Sequence, residues 1–92
     1  MNKADLASTM AYSAEISRTQ ATKALDAALD AITDALREGD KVTLVNFGTF
    51  SVLERAARSG RNPATGETIT IPGKRVAKFK PGKFLSATVA AG

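Results

Sequence analysis

At Gly39 the periodicity of this 92-residue chain changes, and the change leaves few folds open. Before it, apolar residues recur at helical spacing: Leu25, Leu29, Ile32 and Leu36 fall at steps of four, three and four, with Asp26, Asp30 and Asp34 as a polar stripe beside them. After it, apolar and polar residues alternate. Phe50 and Val52 stand against Thr49 and Ser51, Ile69 and Ile71 against Thr68 and Thr70, and Arg75, Ala77 and Phe79 against Val76, Lys78 and Lys80. Local signals sharpen the borders. Asn2 can cap a first helix running to about residue 12, Ser17-Arg18-Thr19-Gln20 has the form of a capping box, and Gly39 is placed to end the second helix in the left-handed conformation. Asn46-Phe47-Gly48 supplies a turn, and Pro81-Gly82 breaks the last strand ahead of a short helix over residues 83–90. The expected architecture is α+β: two N-terminal helices, a three-stranded antiparallel sheet with a long β-ribbon arm, and a short C-terminal helix.

A chain of this size buries only just enough apolar surface to offset its ordering entropy, and the leucine seam of the second helix wants a partner helix, so a second copy is expected. The four phenylalanines, Phe47, Phe50, Phe79 and Phe84, sit on the apolar phase of their elements or at the turn between apolar strands, and are expected in the core rather than as stacking platforms for bases.

The arm comes from residues 58–66, Arg-Ser-Gly-Arg-Asn-Pro-Ala-Thr-Gly, with strand-like sequence on both sides and a turn near residues 62–66. Large apolar residues are sparse in it. Such a ribbon cannot join a core, and an isolated hairpin is marginally stable in water, so the free arm is expected to be mobile. Arg55, Arg58 and Arg61 precede the turn at three-residue intervals. Guanidinium groups suit phosphates and the narrow minor groove of A/T-rich DNA, and Pro63 at the tip has the shape to wedge between stacked bases. Read from local sequence alone, Asn62-Pro63 is equally an ordinary turn initiator and the arginines a solvated face. A second basic group, Lys78, Lys80 and Lys83, surrounds Pro81-Gly82 where the amides of the last helix begin; it reads as a phosphate site or as the outer face of a strand.

Charge separates along the chain. Residues 1–40 carry four basic and seven acidic side chains, whereas residues 41–92 carry nine basic and two acidic ones, a segregation that points to a polyanion as partner of the second half. There is no cysteine and no histidine, which removes disulfides, thiolate zinc sites and imidazole chemistry. Three aspartates along one helix face do not encircle an ion, and residues 60–66 lack the Lys-Ser/Thr end of a P-loop. No catalytic residue, metal or cofactor is expected. Without a signal peptide or an apolar run of about 20 residues, the expectation is a cytoplasmic protein with no membrane partner.

The motifs Asn46-Phe47-Gly48-Thr49-Phe50, Glu54-Arg55-Ala56-Ala57-Arg58, Gly60-Arg61-Asn62-Pro63-Ala64-Thr65-Gly66 and Phe79-Lys80-Pro81-Gly82-Lys83, at these spacings, resemble the HU/IHF family of small dimeric bacterial DNA-bending proteins, most nearly HU. The resemblance covers essentially the whole chain. It implies one domain over residues 1–92, with residues 1–40 as a helical dimerisation part and residues 41–92 as sheet, arm (about 54–75) and C-terminal helix, intertwined with a second copy as a homodimer. It implies a histone-like, nucleoid-associated protein that binds double-stranded DNA with little sequence specificity, bends it through minor-groove arms and compacts it. It implies contacts to DNA from Arg55, Arg58, Arg61, Asn62 and Pro63 in the arm and from Lys3, Lys80 and Lys83 in the body, with Pro63 as the intercalating wedge. That wedge is already attributed to architectural proteins of this family and is taken over from them. Two other readings stay open: a site-preferring subunit like IHF, and a structural protein whose arms add strands to protein partners. RNA and a heterodimer with a paralogue stay open as partners. Four positions depart from the expected pattern: Asn46, Ser86 and Ala77 stand where many relatives carry glycine, lysine and proline, and Pro72, where small residues are common, has no amide donor and is expected to break or bulge the returning strand of the arm.

Overall fold

A computed structural model describes residues Met1–Gly92 and divides them into two compact units, Met1–Ala35 and Leu36–Gly92. The first holds α1 (Lys3–Ala14) and most of α2 (Arg18–Arg37). Both helices open on reciprocal caps. Asn2 Oδ1 accepts the Asp5 amide while the Asp5 carboxylate accepts the Asn2 amide, and Ser17 and Gln20 repeat the exchange at α2. α1 runs two residues past its expected end because Glu15, and no earlier residue, takes the left-handed conformation (φ 56°), which turns the Ile16 amide back onto the Ala11 carbonyl at 3.0 Å. The core of this unit is small: Ala7, Ala11, Ala21 and Leu25, with Met10 packed against them. Farther along the seam Leu29 is 44% exposed.

The second unit begins with the last turn of α2, closed by Gly39 at φ 83° with its amide on the Leu36 carbonyl. β1 (Val42–Leu44), β2 (Gly48–Arg55) and β5 (Lys74–Pro81) form a three-stranded antiparallel sheet in the order β1-β2-β5. β3 (Arg58–Arg61) and β4 (Thr68–Ile71) pair with each other alone, and α3 (Lys83–Ala91) follows the sheet.

Register decides what each face of the sheet carries. Phe50 pairs with Val42 on one side and Phe79 on the other, Val52 with Ala77, and Glu54 with Arg75. Because side chains alternate across a strand, these share one face. The other face carries Thr43 and Thr49, whose hydroxyls lie 3.4 Å apart, with Lys80 opposite Thr49, then Ser51 opposite Lys78, an apolar rung of Leu53 opposite Val76, and Arg55 opposite Lys74. On the apolar face the Phe79 ring lies 4.8 Å from Phe50 and 5.5 Å from Phe47, and it sits where a Cβ on Gly48 would come within 2.6 Å. Any side chain at position 48 would displace that ring.

Phe47, Phe50 and Phe79 cluster, but the expectation that the phenylalanines form a buried core does not hold within one chain. Phe47, Phe79 and Phe84 are 45%, 41% and 65% exposed, because a 92-residue chain that spends some 20 residues on a ribbon has too little apolar surface left to cover them.

Candidate nucleic-acid interface

β2 leads into β3, and β4 back into β5, across a short interruption. Arg55 faces Lys74, and three residues farther along both strands Arg58 faces Ile71, so Ala56-Ala57 and Pro72-Gly73 interrupt the ladder in equal number on each side. Pro72 therefore breaks the ladder, as its missing donor requires, without a bulge and without a change of register. Gly73 explains how the strands stay so close: a Cβ there would lie 2.8 Å from the Arg55 carbonyl and 3.2 Å from the Ala57 amide. A cavity of about 380 Å³ opens at this break, lined by Arg55, Arg58 and Lys74 together with Ala56, Ile71 and Pro72.

Beyond the break the arm has two unlike faces. Arg58 and Gly60 share one face with Ile71 and Ile69, whose side chains fill the space above Gly60. Ser59 and Arg61 share the other with Thr70 and Thr68. The three-residue interval thus sends Arg58 and Arg61 to opposite faces, where a guanidinium on each can reach the two walls of a groove. The tip is closed by Asn62: its amide donates to the Glu67 carbonyl, its carbonyl accepts the Gly66 amide, and its Oδ1 accepts the Ala64 amide at 2.9 Å. Gly66 at φ 73° completes the turn. Pro63 stands exposed between Asn62 and Ala64.

Of the body residues expected at the site, Lys80 lies on the hydroxyl face and Lys83 is the first residue of α3. The α3 cap, Gly82, makes no side-chain capping bond, and the first ladder bond of the helix is from Ser86 to the Gly82 carbonyl, which leaves the amides of residues 83–85 outside the helical ladder. Lys3 belongs to the other unit and is already partnered. Its Nζ lies 2.6 Å from Asp26 Oδ1, and that hydrogen bond and charge hold the ammonium pKa above the ordinary lysine value, with Asp30 adding to the effect. A phosphate reaching Lys3 must compete with Asp26.

Register adds Lys74, which spacing alone did not single out as a contact, and aligns it with Lys78 of the second basic group. Both stand on the face of Lys80, one opposite Arg55 and one opposite Ser51, and the alternation of residues 74, 76, 78 and 80 was the signal for them. No group of acidic side chains converges as a metal site, and no helix is long and apolar enough to cross a membrane.

Comparison with known proteins agrees with this geometry. The profile of the family described as bacterial DNA-binding protein matches residues 1–90. DNA-binding protein HU of Geobacillus stearothermophilus is 55% identical over 89 residues, which is 97% of this chain and 99% of that protein. DNA-binding protein HU 1 of Bacillus subtilis is 53% identical over 90 residues, 98% of each. Among solved structures, the Anabaena HU–DNA cocrystal structure matches with a TM-score of 0.84 at 47% identity over the whole of both chains.

Proposed function

The chain belongs to the family of bacterial DNA-binding proteins that includes HU, and from that premise we propose that it is a histone-like architectural protein that binds duplex DNA with little sequence preference and bends it. The observation that carries the proposal is the hydroxyl-and-cation face of the sheet, with Thr43, Thr49, Ser51, Lys74, Lys78, Lys80 and Arg55, continuing in one register into an arm that ends at an exposed proline. The body face supplies phosphate contacts, joined by Lys83 and the free amides of α3. Arg58 and Arg61 follow the groove walls, Asn62 shapes the tip, and Pro63 enters a base step. Such work is mechanical: no bond is made or broken, so the protein needs no catalytic group or cofactor, and it acts on the chromosome.

The working unit is a homodimer. What supports it is the exposed remainder of the α2 seam and the exposed Phe47, Phe79, Phe84 and Val89, an apolar surface far larger than the small helical core could compensate in one chain. Residues 1–40 and the apolar face of the sheet form the dimer body, and residues 54–75 form the arm.

Salt dependence is the test. If phosphate neutralisation carries the affinity, log K falls with log salt by about 0.9 per phosphate contacted. A duplex affinity that hardly changes between about 50 and 200 mM salt would end this reading. For the wedge, Pro63→Ala is expected to reduce the bend measured by energy transfer between the ends of a labelled duplex, at little cost in affinity; an unchanged bend rules the wedge out.

A further inference from the structure

We infer that Arg75, alone among the basic residues of β5, is not a phosphate contact but a positioning residue that fixes the root of the arm to the end of α2. The inference rests on the DNA-bending function proposed above and adds to it a division of labour among neighbouring cations.

Arg75 follows Lys74 directly, but alternation puts it on the other face of the sheet, in line with the Val52–Ala77 and Phe50–Phe79 pairs and away from Lys74, Lys78 and Lys80. There it makes three contacts. Its Nε lies 3.4 Å from Oε1 of Glu54, its cross-strand partner, and its Nη2 donates to the carbonyls of Arg37 at 3.1 Å and Leu36 at 3.4 Å. The last carbonyls of a helix carry partial negative charge and lack partners within the helix, so a guanidinium is matched to them. Its planar fork can hold a carboxylate on one edge and carbonyls on another, which an ammonium cannot do from one point.

Position gives this contact its consequence. Glu54–Arg75 is the second-last rung of the body ladder, followed only by Arg55–Lys74 before the ladder breaks at Ala56-Ala57 and Pro72-Gly73. Both strands of the arm root are thereby tied to a helix end 38 residues earlier in the chain, on the side away from the cationic face. The clamp sets the direction in which the arm leaves the sheet, and the bend depends on that direction.

The test compares Arg75→Gln with the parent protein on one labelled duplex, reading salt slope, bend and amide exchange. The expected result is an unchanged salt slope, an affinity within about fivefold of the parent, a smaller bend, and faster exchange at the amides of residues 53–55 and 74–76 with residues 48–51 unaffected. Arg75→Lys is expected to fall between the two. A slope reduced by about 0.9 per copy of Arg75 would make it a phosphate contact and overturn the inference. An unchanged bend would overturn it as well. If Arg75→Gln fails to fold, Glu54→Gln, which leaves the guanidinium on the helix carbonyls, is judged by the same slope and bend. A parent protein that shows neither steep salt dependence nor bending would instead refute the proposed function, and that outcome is seen before any variant is measured.

Discussion

The body sheet and the arm share one register but are held in different ways. The β2–β5 ladder has a third strand beside it, an aromatic cluster on one face and a tie to a helix end. The β3–β4 ladder has four rungs, two isoleucines over a glycine and a closed tip, which is about the least that keeps a ribbon in shape. Stability is thus concentrated in the body and, under the proposed function, groove contact in the arm, so substitutions in the two regions should register in different measurements.

The strongest challenge to that division is Gly48→Ala. Its Cβ meets the Phe79 ring and the Lys80 carbonyl at 2.6 Å, and the carbonyl cannot swing aside as a side chain can. Overpacking of this kind costs about 1–3 kcal/mol, so the thermal midpoint should fall by roughly 10 °C. A variant that melts with the parent would show that the aromatic cluster does not hold the sheet. The arm counterpart is the double variant Arg58→Ala/Arg61→Ala. Its midpoint should stay within about 1 °C, since surface substitutions change stability little, while duplex affinity at moderate salt drops by roughly tenfold or more and the salt slope shrinks by about 0.9 for each phosphate left without its arginine. A melting shift as large as that of Gly48→Ala would break the comparison.

A finer cut separates shape from contact at the tip. Asn62→Ala removes the Oδ1 acceptor of the Ala64 amide, a bond of about 1 kcal/mol, and should reduce the bend with only a small loss of affinity. Asn62→Asp keeps the acceptor and adds a negative charge, so it should hold the bend and lose affinity. The same response from both variants would show that Asn62 acts through its side-chain nitrogen, which both lack, and not through the acceptor that shapes the turn.

The smallest effect concerns Lys3. Because its pKa is raised in the folded protein, the stabilisation from Asp26 is fully present below the unfolded lysine value of about 10.4 and disappears as pH rises through the higher folded value. Thermal melts between about pH 10 and 12 should therefore show a slightly steeper decline for the parent than for Lys3→Gln. Parallel declines would mean that the ion pair, exposed as it is, contributes nothing measurable.

Much of this was legible from residue order because the deciding signals are local. The Asn2 cap, the Ser17–Gln20 capping box, the stop at Gly39, the tip turn at residues 62–66 and the alternation in β2, β4 and β5 each lie within a few residues of what they specify. Parity along β5 even set Arg75 apart from Lys78 and Lys80. What parity does not contain is what meets a residue across space. Arg75 finds the Arg37 carbonyl and Lys3 finds Asp26, pairings that no spacing rule proposes. The opposite faces of Arg58 and Arg61 emerge only once a strand replaces a three-residue interval. The exposure of Phe84 has another origin, since its cover is expected from a second copy and not from this chain's own order.

The matched interruption at the arm root has a further consequence, for how the arm can change length. Since the register passes unbroken through Ala56-Ala57 and Pro72-Gly73, a residue gained or removed on one strand alone would rotate everything beyond it and exchange the isoleucine face for the hydroxyl face. Growth is harmless only when both strands gain two residues together, which adds about 7 Å of reach and leaves every side chain on its original face. Reach along the duplex can therefore be varied in steps of one pleat repeat, by evolution or by an engineer, without redesigning the body that carries the arm.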